Sequence, residues 1–289
     1  MDVASTDHKS LMKRIHADYE GLPAGERKVA DLVLDFPGEL AAYSASEMAK
    51  LAQVSNATVT RLFQRLGYDS FEAARRSSRR AREWGSPLYL ATNSDRKSAE
   101  AGEGSLLDFA EKETALLQAA LAELTRGQVD EITTALAKAR NLGFMGFRNS
   151  YYFAAYARWQ FIQFRQKTRM IPGAGETVAE RIADLGKGDV VLVVGVRRTV
   201  GILKRYIKAI SNTGASVLLI TDPSIREIPA FARWTITCPV ENPHVFDSYT
   251  GVLAVLRLLS YETFRKTGKP GRDYMQQIEA QHEELAEFE

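Results

Sequence analysis

Four side chains carry the first chemical suggestion in this sequence. Ala57, Thr60, Arg61 and Gln64 recur at a spacing that gathers them on one side of an α-helix. A methyl surface, a hydroxyl, a guanidinium and an amide are the groups that read base edges in a DNA major groove: Arg toward guanine, Gln toward adenine, and an apolar contact for thymine. Thr58 and Arg65 flank this face and, with Ser44, Ser55 and Asn56 at two helix starts, are placed to meet phosphates. A second set lies in two loops, Gly146-Phe147-Arg148-Asn149-Ser150 and Gly195-Val196-Arg197-Arg198-Thr199, each following an apolar run. Helix-start N–H groups, the Ser150 and Thr199 hydroxyls and the guanidiniums of Arg148, Arg197 and Arg198 suit a phosphate or carboxylate. Ser248, in Phe246-Asp247-Ser248-Tyr249, is a further contact candidate, with Asp247 expected to cap the following helix.

Other chemistries find little support. His8, His16, His244 and His282 are scattered, and one cysteine, Cys238 in an apolar setting, adds no metal-ligand spacing. No metal and no cofactor is expected. Neither a Gly-x-Gly-x-x-Gly fingerprint nor a Gly-Lys-Ser/Thr phosphate loop occurs. Glu176, His244 and Glu262 are possible bases for an isomerase, but nothing in their spacing brings them over a substrate. A single cysteine agrees with a reducing compartment, and the absence of a long apolar run argues against a membrane partner, so the expected location is the cytoplasm.

The elements that must position the first set are legible between Tyr43 and Gly67, in YSASEMAKLAQVSNATVTRLFQRLG. Ser44 with Glu47 makes a capping box that starts one helix, in which small Ala49 and Ala52 permit a close crossing. Gln53-Val54-Ser55 turns the chain, with Gln53 where a left-handed residue is needed and glycine is the usual choice. Ser55 or Asn56 caps the second helix, whose Val59, Leu62, Phe63 and Leu66 form the packing side, and Gly67 stops it. This is the pattern of a helix-turn-helix. Helices are also expected over residues 11–19 and 23–34 before it, and over 71–84 after it, the last nearly all cationic on its exposed side. From Ser44 to Trp84 eight cations face four anions, a net of +4 in a chain whose total is only +2, so positive charge concentrates beside the motif.

At 289 residues, 45% hydrophobic and 26% charged, the chain has the length for about two soluble domains. The small, polar stretch GSPLYLATNSDRKSAEAGEG reads as a linker, giving a helical domain over 1–84, a linker over 85–104 and a second domain over 105–289. Ser105 is expected to cap a helix there. Short apolar runs at 142–147, 168–171, 189–196, 216–221 and 234–240 alternate with helical patterns at 151–166, 178–185, 200–213, 225–231 and 247–266, with one more around Tyr274 to Leu285. Such alternation predicts a five-stranded parallel α/β sheet flanked by helices, with ligands beyond the strands' carboxyl ends.

With LPAGERKVADLVLDFP ahead of YSASEMAKLAQVSNATVTRLFQRLGYDSFEAAR, the N-terminal domain resembles that of RpiR-type bacterial transcriptional regulators. The resemblance implies a C-terminal sugar isomerase (SIS) domain that senses phosphorylated sugars, and the α/β half is similar to one. It also implies loops of the form Gly-x-Gly-x-Ser and Ser-x-Ser-Gly-x-Thr whose hydroxyls hold the sugar phosphate. Gly146, Ser150 and Thr199 keep that pattern, whereas Arg148, Val196 and Arg197 stand where glycine, serine and glycine are expected. The expectation is therefore a non-enzymatic regulator that binds double-stranded operator DNA as a homodimer or homotetramer and senses an anionic small molecule, with a sugar phosphate as one class. The alternatives are a SIS-type sugar-phosphate isomerase, or a regulator whose SIS domain only oligomerises.

Overall fold

In the computed structural model the described residues are 11–35, 37–83, 106–241 and 246–288. The linker expected over 85–104, the Ser105 cap, His8 and His244 lie outside them. The chain forms two compact units, Met1–Ser105 with Glu241–Asp247, and Leu106–Val240 with Ser248–Glu289.

In the first unit five helices, α1 (Leu11–Asp18), α2 (Ala24–Asp35), α3 (Ala45–Leu51), α4 (Asn56–Arg65) and α5 (Phe71–Glu83), enclose one apolar cluster. Leu11 and Ile15, Val29 and Val33, Met48 and Ala49, then Val59, Leu62 and Phe63 recur three or four positions apart, so each amphipathic helix turns one stripe inward. Phe63 is the pivot, wholly buried and meeting Phe71 edge-on at 5.3 Å between ring centroids. The cationic helix α5 is less exposed than its composition suggests. Arg75 and Arg79, one turn apart, reach back to the Ala41 and Ala42 carbonyls at the end of the 3-10 turn Pro37–Ala41; Arg75 is half-buried by this, whereas Arg79, like Arg76 and Arg80, stays exposed.

The second unit is α/β. Strands β1 (Leu142–Gly146), β2 (Thr168–Met170), β3 (Val190–Gly195), β4 (Ser216–Thr221) and β5 (Trp234–Thr237) pair in parallel in the order β2-β1-β3-β4-β5. Successive side chains point to opposite faces, so Leu192 and Val194 enter one core while Val191 and Val193 enter the other. The first core is closed by α6 (Leu106–Ala122), α7 (Arg126–Lys138), α8 (Asn149–Ile162) and α11 (Thr250–Leu285), the second by the short α9 (Val178–Ile182) and α10 (Leu203–Asn212). No helix among the described residues is long and apolar enough to cross a membrane.

Several helical expectations are corrected. The helix expected at 151–166 starts at Asn149, which places Asn149 and Ser150 in its first turn. The one expected at 200–213 begins at Leu203. At 225–231 only a 3-10 turn forms, Ile228–Phe231, because Pro229 lacks the N–H that an α-helix would use there. The last two expected helices run together as α11, broken at Gly268 (φ 60°, ψ −136°) two residues before Pro270.

Candidate DNA interface and effector loops

The two reader helices are fixed by capping at every end. Ser44 starts α3 with a reciprocal box: the Glu47 carboxylate accepts from the Ser44 N–H at 2.7 Å, and the Glu47 N–H donates back to Ser44 Oγ at 3.3 Å. Those bonds to the charged form hold the Glu47 carboxyl below its ordinary range. At its other end Gln53 adopts φ 54°, the Gln53 N–H bonds to Lys50 O, and the Val54 N–H bonds to Ala49 O at 2.9 Å. This is a Schellman turn with glutamine in the left-handed place. Helix α4 ends on the same motif with Gly67 (φ 81°): the Gly67 N–H bonds to Gln64 O and the Tyr68 N–H to Phe63 O. One turn thus uses glycine where the other bears a side chain's cost. Gln53→Gly is expected to raise the stability of the helical unit by about 1 kcal/mol without altering DNA selectivity, measured by urea unfolding and by competition binding.

Helix α4 presents the face its spacing predicts. Val59, Leu62, Phe63 and Leu66 are buried, Ala57, Arg61 and Gln64 are exposed, and Thr60 is half-buried with its hydroxyl bonded to Asn56 O. Arg61 lies along its own helix, Nε 3.3 Å from Ala57 O and Nη2 3.3 Å from Thr58 Oγ1. Ser55 is the cap, accepting from the Thr58 N–H at 3.2 Å, and Asn56 Nδ2 donates to Ser46 Oγ at 3.1 Å, tying α4 to α3. Arg65, expected to meet phosphate, is also tied to the fold. Its Nε is bonded at 2.8 Å to Glu26, whose side chain is 6% exposed on α2, so it anchors the reader helix. Arg14 does the same at the C-terminal end, donating to Leu66 O at 2.9 Å while its guanidinium covers the Tyr68 ring. A sequence signal existed for Glu26 alone: it sits in phase with Val29, Ala30 and Val33 on the apolar side of α2.

In the α/β unit the two candidate loops follow β1 and β3, neighbours whose connecting helices lie on opposite faces of the sheet. For the order β2-β1-β3-β4-β5 this is the switch point at which open α/β sheets bind ligands. Gly146 lets α8 begin hard against β1, since a Cβ there would lie 2.2 Å from Ser150 O. The nine candidate residues do not converge. Arg148 and Arg198 are exposed and joined by a bond from Arg148 Nη1 to Arg198 O at 3.3 Å, but Arg197 is 6% exposed and Ser150 is 5% exposed. Ser150 Oγ accepts from the Val196 N–H at 3.4 Å. Ser248 turns elsewhere: its hydroxyl, with that of Thr250, donates to Glu113 on α6, and Tyr249 rather than Asp247 precedes the first turn of α11. The open space is a cleft of about 330 Å³ lined by Gly146, Phe147, Arg148, Tyr151, Tyr152 and the loop Pro172–Ala174 after β2. Nothing in the sequence singles out the two tyrosines, and Gly173-Ala174-Gly175-Glu176 reads there only as a turn.

Comparison with known proteins decides the assignment. Residues 9–77 match the helix-turn-helix domain of the rpiR family, and residues 135–260 match the SIS domain. The chain carries an RpiR-family helix-turn-helix domain and a SIS domain. It is 22% identical over 261 residues to the HTH-type transcriptional regulator HexR of Escherichia coli, covering 90% of this chain and 87% of that one. It is 25% identical over 255 residues to the bifunctional protein glk of Burkholderia thailandensis, covering 85% of this chain but 37% of that protein, so it spans little more than a third of that relative's length. Among solved structures, the Vibrio vulnificus NanR protein complexed with ManNAc-6P has a TM-score of 0.54 at 17% identity, covering 96% of this chain and 99% of that one. The sugar isomerase domain of an RpiR transcription factor from Sphaerobacter thermophilus gives 0.54 at 17% identity over 58% of this chain and 94% of its own. At these identities the structural likeness establishes the fold.

Against the RpiR-type pattern, the departures at the SIS loops acquire a physical meaning. Arg148 and Arg197, at positions where the expected loop pattern has glycine, adopt backbone that favours glycine: φ is 55° at Arg148, with ψ −127°, and 54° at Arg197. A non-glycine residue in such a region costs about 1–3 kcal/mol and persists where the surroundings or the function require its side chain.

Proposed function

We propose that this RpiR-type protein is a cytoplasmic transcriptional regulator that binds operator DNA through α4 and senses an anionic small molecule through its SIS domain. The observation that carries the reading is the outward face of α4, with Ala57, Arg61 and Gln64 exposed on a helix that Glu26, Arg14 and Ser46 hold in place. In this reading α4 enters the major groove, and a homodimer or homotetramer presents two copies to half-sites about 34–36 Å apart, or a multiple of that spacing. The ManNAc-6P held by the Vibrio vulnificus NanR protein makes phosphorylated sugars the first class to test. Whatever its class, the effector can shift operator affinity only by its differential affinity for the two states of the regulator. No catalytic step is assigned. Glu262 is held by Arg126 and Arg265, and Glu176 by the Gly173 N–H and Arg181, so neither carboxylate stands ready as an isomerase base.

Selection of bound sequences from random duplex DNA tests this directly. The expected result is a narrow consensus with two related half-sites, whose affinity for the protein changes when an anionic effector is added. Retention of DNA without any enriched sequence would refute it.

A further inference from the structure

We infer that the cleft beside Arg148 takes a small carboxylate on a flat, largely apolar body in preference to a phosphorylated sugar. This rests on the reading of the SIS domain as an effector sensor and narrows the ligand class.

Three backbone donors of the second loop are engaged internally. The Val196 N–H meets Ser150 Oγ, the Thr199 N–H bonds to Arg197 O at 2.8 Å, and the Arg197 N–H bonds to the Asp222 carboxylate. Asp222 is 1% exposed and also accepts the Ser224 N–H at 2.9 Å. A buried carboxylate therefore already lies against that loop, and a phosphate dianion brought to the Arg197 N–H would meet its charge. The first loop is similarly engaged: the Ser150 N–H bonds to Phe147 O at 3.1 Å and the Tyr151 N–H to Arg148 O at 3.2 Å.

The cleft retains the Arg148 guanidinium, exposed and steadied through one nitrogen by Arg198 O. A planar fork of donors grips a carboxylate or a phosphate alike, so the choice of ligand falls to what surrounds it. Around it the walls are flat and apolar. Tyr151 and Tyr152 are 45% and 70% exposed, with ring centroids 5.8 Å apart and planes at 84°, and Phe147, Pro172 and Ala174 complete the lining. Two exposed rings nearly at right angles offer one face and one edge to a planar ligand. The left-handed backbone at Arg148 agrees: glycine would relieve it, so the side chain is what the position keeps.

The test is calorimetric titration of the full-length protein with benzoate, glucose 6-phosphate and inorganic phosphate, repeated on Arg148→Gly and Tyr152→Ala, with Tm recorded for each. Benzoate is expected to bind at least tenfold more tightly than either phosphate compound. Arg148→Gly is expected to raise Tm by about 2–4 °C yet lose tenfold or more in benzoate affinity, and Tyr152→Ala to lose several-fold at unchanged Tm. Tighter binding of glucose 6-phosphate would overturn the carboxylate preference while leaving the sensor reading intact. Binding of neither class at millimolar concentration would overturn both. Benzoate affinity that survives Arg148→Gly would put the anion elsewhere and sink the inference.

Discussion

Alanine at both Arg61 and Gln64 is expected to weaken binding to the selected operator by roughly 30-fold to 10,000-fold, while thermal unfolding of the protein stays where it was. The magnitude follows from about 1–3 kcal/mol for each bidentate contact with a base, so about 2–6 kcal/mol for the pair on one helix. Stability is spared because both side chains are exposed, and the Arg61 bonds to Ala57 O and Thr58 Oγ1, at 3.3 Å, are long ones on the surface. Binding to non-specific DNA should keep its salt slope, because phosphate contacts set that slope and base contacts do not. Arg65→Ala is the informative contrast. It removes the partner of the buried Glu26 carboxylate, so the loss should appear first as a lower Tm and as weaker binding to all sequences alike. If the doubly substituted protein selects the same consensus as the parent, the base-reading face has been misassigned.

The second large effect lies at the other end of the α/β sheet. Asp189, fully buried just before β3, accepts five hydrogen bonds: from Arg140 Nε at 3.0 Å and Nη2 at 2.6 Å, from the Asn141 N–H and Nδ2 at 2.9 Å each, and from the Gly186 N–H at 2.8 Å. It ties the approaches to β1 and β3 together. Asp189→Ala strands those donors and is expected to destabilise the α/β unit by about 3 kcal/mol, or 6–12 °C in Tm; Arg140, more than half exposed, can rehydrate, so the amides dominate the loss. Burial alone would raise the carboxyl pKa, but the Arg140, Gly186 and Asn141 bonds reverse this and lower it from 3.8 to about 2. A carboxyl with a depressed folded pKa contributes stability above its unfolded pKa and loses it as pH falls through the folded one. The gap between the parent and Asp189→Ala should therefore be constant above pH 4 and narrow by about 2 kcal/mol between pH 4 and pH 2. A gap that does not change over that interval would show that the ionised carboxylate is not what stabilises the loops.

What could be seen beforehand was whatever depends on neighbours in the chain. The Ser44–Glu47 box, the left-handed Gln53, the buried side of α4 and the apolar run of β3 are all set by residues a few positions apart, and each stands as expected. Contacts between distant segments were not visible. Glu26 pairs with Arg65 across 39 residues and Ser248 with Glu113 across 135; the phase of Glu26 on α2 marks it as inward-facing, but no local pattern names the partner in either pair. The candidate ligand loops show both sides of this. Their place at the switch point follows from strand order, but the burial of Arg197 and the internal bond to Asp222 depend on how β4 lies beside β3.

The strand lengths bear on how copies of this protein meet. The two outer strands of the sheet are its shortest, three residues in β2 and four in β5, and β2 carries Arg169 at its middle, paired with Asp184. Brief borders, one of them charged, give an approaching chain few backbone groups to pair with. Joining of two sheets edge to edge is thereby disfavoured, and any pairing of copies would fall to helical faces, where side-chain fit rather than generic backbone pairing decides which chain is accepted.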